Sequence, residues 1–127
     1  VSDSGVTPQD VYRFVERKLQ HQKRRWQELH RKAAGDAERI VRYIIEKYKP
    51  KRIIQWGSLL KPEQFRDYSD IDLALEGIPD AETFFRLTGE IEKLTSFPLD
   101  VVQWEHLEPE FREVILHKGK VVYESPE

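Results

Sequence analysis

Asp70 and Asp72 are the residues whose type and spacing most directly suggest chemistry. They alternate with Ile71, Leu73 and Leu75, and alternation along a strand sends both carboxylates to one face and the aliphatics to the other. Two strand positions apart, their backbones stand roughly 6.5 to 7 Å from each other, within joint reach of one divalent cation. Without a counter-ion the pair would repel. A hard cation removes that cost, and Mg2+ commonly takes one or two carboxylates together with polyphosphate oxygens. Upstream, Gly57-Ser58 follows the apolar run over residues 52–56. A glycine there lets backbone N–H groups approach an anion, and the serine adds a hydroxyl donor, so phosphate and metal would share one site.

A third carboxylate, Asp100, interrupts the apolar run Leu99-Asp100-Val101-Val102. A carboxylate buried in a strand is costly unless it is paired or bound to metal. Beside Asp70 and Asp72 it therefore reads as part of the same site. His21, His30, His106 and His117 show no metal-ligand spacing and are expected at the surface. Trp56, the last strand residue before the glycine, is expected to be a core or rim aromatic rather than a stacking platform.

The elements that must position these residues can be read from periodicity and punctuation. Residues 59–69 form a loop long enough to reverse direction, so an antiparallel return is expected to bring Asp70 beside Gly57. Residues 1–6 are expected to be frayed. Thr7-Pro8, with Asp10 three residues after the threonine, has the features of a helix start. Val11, Phe14, Val15, Leu19, Trp26, Leu29 and Ala33 make one apolar stripe on a helix expected to stop at Gly35. A second helix is expected from Asp36 to about Tyr48, closed by Pro50. Residues 81–95 read as a helix opened by Asp80 and leading to a third strand over 99–104. A short helix over 110–118, stopped by Gly119, precedes a closing strand over 120–124.

The chain has 127 residues, which fits one domain. It lacks cysteine, which excludes disulfides, thiolate zinc sites and cysteine nucleophiles. No apolar run approaches the length of a membrane span, and no signal-peptide layout opens the chain, so a soluble, cytoplasmic protein is expected. The net charge of −2 hides an asymmetry: residues 1–52 carry 14 basic and 7 acidic side chains, and residues 53–127 carry 7 and 16. The basic first helix would suit an RNA backbone or an acidic partner, although basic helix faces are most often simply solvated.

Taken together, Gly57-Ser58, eleven intervening residues, Asp70-Ile71-Asp72 and the later Asp100 resemble the minimal nucleotidyltransferases of the DNA polymerase β-like superfamily. These MNT-type proteins often occur as antitoxin partners of HEPN proteins. The resemblance covers about residues 40–123. It implies an α+β fold, a small mixed β-sheet with helices packed on it around a polymerase β palm-like core, here with a long N-terminal helix. With the basic amphipathic helix read from periodicity and charge, which the resemblance does not explain, the chain is expected to divide into a helical extension, 1–35, and a minimal nucleotidyltransferase domain, 36–127.

The resemblance further implies that Asp70, Asp72 and Asp100 are catalytic carboxylates and ligands of Mg2+, with Mn2+ as a substitute. Gly57 and Ser58 would contact the triphosphate, and Ser69 is counted with them. Two departures stand out. Most members have ten residues between the serine and the first aspartate, and many follow the serine with a small Arg- and Gly-containing run; here Leu59-Leu60-Lys61-Pro62 follows, with Lys61 standing in for the phosphate-contacting arginine. The implied activity is transfer of a nucleotide, AMP from ATP foremost among the nucleoside triphosphates, to a hydroxyl on a partner such as a HEPN-type toxin. The alternative is an antitoxin or binding module with weak or no catalysis that neutralises a partner by complex formation. RNA and self-association remain open as further partners, and no membrane contact is expected.

Overall fold

The computed structural model describes residues 5–126; residues 1–4, part of the segment expected to be frayed, lie outside them. Helix α1, Pro8–Tyr48, is a single helix of 41 residues, about 60 Å long. Its start is as read from the sequence. The Thr7 hydroxyl accepts from the Asp10 N–H at 3.1 Å, and the Asp10 carboxylate accepts from the Thr7 N–H at 3.0 Å.

The expected break at Gly35 does not occur. Ala33, Ala37, Ile40 and Ile44 form one buried face running across that position, so packing outweighs the roughly 1 kcal/mol that glycine costs in a helix. Asp36, expected to open a second helix, is instead buried inside this one. Its carboxylate pairs with Arg39 and accepts from the Thr95 hydroxyl at 2.7 Å. The helix ends at Lys49, which adopts φ 48° and donates its N–H to the carbonyls of Ile44 and Ile45.

Strand β1, Arg52–Trp56, follows. Two short 3-10 turns, Ser58–Leu60 and Pro62–Gln64, then lead into β2, Ile71–Glu76. Helix α2, Ala81–Ile91, opens with the Asp80 carboxylate accepting from the Thr83 N–H at 2.7 Å, and it connects to β3, Leu99–Gln103. The strand is one residue shorter than expected because Trp104 begins a 3-10 turn. Helix α3, Pro109–Lys118, and β4, Lys120–Glu124, complete the chain.

The sheet order is β3-β2-β1-β4, with β2 and β3 parallel and the other neighbours antiparallel. One face carries Ile53, Ile71, Leu73 and Leu75, which pack with α1 and α2 into the main core. On the other face Ile54, Ala74, Trp104 and Ile115 make a smaller cluster under α3. Helix α3 covers only part of this second face.

The front of α1 leaves the body altogether. Every residue from 8 to 25 is exposed, including Val11, Phe14, Val15 and Leu19 of the expected stripe; Trp26, Leu29 and Ala33 are where that stripe meets the domain. No helix among the described residues is long and apolar enough to cross a membrane.

Candidate functional site

Register decides the site. In the β1–β2 pair Trp56 stands opposite Asp72, and in the β2–β3 pair Asp72 stands opposite Asp100. Opposed residues share a face, so Trp56, Asp72 and Asp100 form one row across the half of the second face that α3 leaves open. Adjacent strands are about 4.8 Å apart, which sets the spacing of the Asp72 and Asp100 stems. Asp70 lies just before β2 and one alternation from Asp72. Asp100 is exposed on the edge strand, not buried as its apolar neighbours suggested.

The electrostatics follow from this crowding. Burial, then the charges of Asp100 and Asp70, pushes the half-buried Asp72 carboxyl up to about 6. Among the described residues, none of the three carboxylates has an ion-pair partner.

Gly57 closes the site from the β1 side. It adopts φ 87° and ψ −167°, a conformation essentially restricted to glycine, and a Cβ there would lie 2.0 Å from Asp72 Oδ2. The main chain can therefore run directly against the carboxylate only because residue 57 lacks a side chain. Ser58 starts the 3-10 turn, in which the Leu60 N–H donates to the Gly57 carbonyl at 3.1 Å and the Lys61 N–H to the Ser58 carbonyl at 2.9 Å. Beside this turn is a cavity of about 210 Å3, with Trp56, Gly57, Ser58 and Lys61 on one side and Val114 and Lys118 of α3 on the other. Trp56 is thus a half-buried wall of that cavity.

The loop after Ser58 is anchored from both sides. Leu59 and Phe65 are buried in the main core. From α1, Trp26 donates its indole N–H to Asp67 at 2.7 Å, Arg25 pairs with the same carboxylate at 2.9 Å, and Arg66 lays its guanidinium 4.0 Å over the Trp26 ring. The Trp26 hydrogen bond, with help from Arg25, holds the Asp67 carboxyl below its usual range.

His30 is not the plain surface residue expected. It is half-buried, donates Nε2–H to the Leu59 carbonyl at 2.8 Å and sets its ring edge-on to Phe65. Ser69 is buried, and its hydroxyl accepts from the Arg66 N–H at 2.9 Å, closing the loop just before Asp70. Sequence reasoning missed Lys118, whose place in a last helical turn was its one local signal, and it had no signal at all for the clamp between Trp26 and Asp67.

The donor set suits a hard divalent cation: carboxylate oxygens with uncompensated charge, beside a backbone cradle that a Cβ would fill. Among the described residues no three Asp, Glu, His or Cys side chains close into a ready-made metal cage.

A mixed sheet of this order, with an aspartate row beside a glycine-serine turn, defines an α+β domain of the nucleotidyltransferase class. More particularly, the chain belongs to the polymerase beta nucleotidyltransferase family, whose model matches residues 38–127. Among curated proteins none matches the sequence. Among solved structures, a chain of a toxin-antitoxin complex determined with AMP-PNP is similar, with a TM-score of 0.58 and 20% identity over 70% of this chain and 74% of that one. At that identity the likeness concerns the fold.

Proposed function

We propose that this protein transfers a nucleotide, AMP from ATP, to a hydroxyl acceptor. The observation that carries the reading is the row of unpaired carboxylates at Asp72 and Asp100, with Asp70 adjoining, against a glycine whose missing side chain leaves room for Asp72. Mg2+, or Mn2+ in its place, held by Asp70 and Asp72 with Asp100 as a further ligand, would neutralise charge on the phosphate oxygens. The Gly57-Ser58 turn and Lys61 bind the distal phosphates and fix the α-phosphorus for in-line attack.

The acceptor oxygen forms its bond to the α-phosphorus as the bond to the bridging oxygen breaks, and pyrophosphate leaves. Where Asp100 is free of metal, its exposed carboxylate can take the proton released by the acceptor. Ser69, whose hydroxyl already accepts from the Arg66 N–H, shapes the loop that leads into Asp70.

The acceptor we favour is a hydroxyl on a partner protein, a tyrosine of a HEPN-type toxin, in the cytoplasm where ATP is supplied. Two observations support a protein partner: the similar fold occurs in a toxin-antitoxin complex with AMP-PNP, and the front of α1 exposes Val11, Phe14, Val15 and Leu19. That exposed stripe also favours a second reading, neutralisation by complex formation alone. RNA held by the basic helix would instead give binding that weakens steeply with salt.

The test incubates the protein with labelled ATP and a candidate partner, with Asp70→Asn and Asp72→Asn variants alongside. Nucleotidyl transfer requires label on the partner from the parent protein and a loss of at least about 100-fold in each variant. Undiminished transfer by the variants would overturn the mechanism. Neutralisation of the partner without ATP would select the binding module.

A further inference from the structure

The cavity beside the Gly57-Ser58 turn has a lysine on each side. Lys61 comes from the loop after β1, and Lys118 comes from the last turn of α3, 57 residues later in the chain. Among the described residues neither forms an ion pair, although this half of the chain is strongly acidic. A lysine at a helix C-terminus is ordinarily explained by the helix dipole. That explanation does not account for how firmly the backbone beneath Lys118 is held.

Ile115 of α3 is buried against Ile54, Ala74 and Trp104, and Arg112 donates to the carbonyls of Trp104 at 3.0 Å and Glu105 at 3.1 Å. Gly119 completes the hold. A Cβ there would lie 2.5 Å from the Ile115 carbonyl and 2.7 Å from the Gln55 carbonyl of β1, so the end of α3 abuts β1 as closely as the backbone permits. The main chain at Lys118 is fixed beside the cavity while its side chain stays exposed and unengaged.

Two lysines lining one small cavity concentrate positive charge there, and a polyanion bound between them would be matched by it. The unpaired carboxylates lie in the neighbouring row beyond Gly57, so unpaired acids and unpaired bases share the site without neutralising one another. A ligand that brings a cation to the acids and several anionic oxygens to the lysines satisfies both.

We propose that Lys118 is a second phosphate-binding lysine, which with Lys61 grips the β- and γ-phosphates and makes the site select nucleotides by phosphate number. The proposal rests on the nucleotidyl-transfer reading and adds to it a contact from α3 that the glycine-serine and aspartate motif does not contain.

The experiment is calorimetric titration of the full chain with ATP, ADP and AMP in Mg2+, comparing the parent with Lys118→Met, Lys118→Arg and, as a control for lost charge, Lys120→Met. The parent should bind ATP more tightly than ADP, and ADP more tightly than AMP. Lys118→Met should weaken ATP about tenfold, the effect of one charge-assisted hydrogen bond, and leave AMP and the melting temperature unchanged. Lys118→Arg should restore most of the loss, and Lys120→Met should behave as the parent.

An unaltered ATP-to-AMP ratio in Lys118→Met overturns the assignment. So does equal weakening of ATP and AMP, or an equal effect of Lys120→Met. If the parent binds no nucleotide, the transfer reading itself fails and this assignment fails with it.

Discussion

Replacing Asp72 with asparagine should make the metal-free protein more stable while removing the proposed nucleotidyl transfer. The Asp72 carboxyl is raised from 3.8 to about 6, so its ionised form is disfavoured in the folded chain relative to the unfolded one. A rise of about two pH units corresponds to about 3 kcal/mol at 1.36 kcal/mol per unit. Because Asp72 is only half-buried, solvent screening reduces this to about 1 to 2 kcal/mol.

The two protonation ranges set the sign. Above about pH 6 the carboxylate is ionised in both states, and the folded protein bears the full cost. Between about 6 and 3.8 the folded state is protonated and the cost fades; below 3.8 it is gone. An asparagine side chain, which does not ionise, has no such cost at any pH. Urea unfolding in EDTA at pH 8 should therefore find Asp72→Asn more stable by about 1 to 2 kcal/mol, or about 5 °C in melting temperature. The gap should close near pH 4. Added Mg2+ and ATP should stabilise the parent and not the variant. A variant no more stable than the parent at pH 8, or a gap that ignores pH, would refute the electrostatic account of the acidic row.

Other perturbations probe the frame around the site. Gly35→Ala should stabilise the protein by about 0.5 to 1 kcal/mol in thermal melts, since a Cβ there meets only the end of Arg39 at 3.8 Å. A destabilised variant would contradict an uninterrupted α1. Trp26→Ala removes the hydrogen bond to Asp67 and the Arg66 stacking, and should cost about 2 kcal/mol in urea unfolding and weaken ATP binding by loosening the loop. Glu90 accepts from Lys47, Tyr48 and Tyr43, and these contacts, that of Lys47 first, hold its carboxyl down at about 2. Its contribution to stability is present above about pH 4.5 and fades as pH falls toward about 2. Acid unfolding should accordingly find Glu90→Gln less stable than the parent at pH 7, with the two converging at low pH.

The sequence by itself determined the strands, most of the helices and the candidacy of the acidic pair. Those features are local: alternation sets the faces of residues 71–76, the Thr7-Asp10 capping box starts α1, and Pro50 bars the helix from continuing through its own backbone constraint.

Tertiary structure decided what local signals could not. Gly35 looked like a terminus by propensity, yet the buried face from Ala33 to Ile44 carries the helix through it, because burial of a continuous apolar stripe exceeds the cost of one glycine. Asp100 read as a buried acid from its neighbours, but β3 lies at the edge of the sheet, and only the parallel register with β2 sets that acid beside Asp72. His30, Trp26 and Lys118 acquire their roles from contacts or cavities shared with residues at least 29 positions away. Periodicity reports which face a side chain takes within its own element. Which elements meet, and in what register, depends on packing between segments far apart in the chain, and that is where the site is assembled.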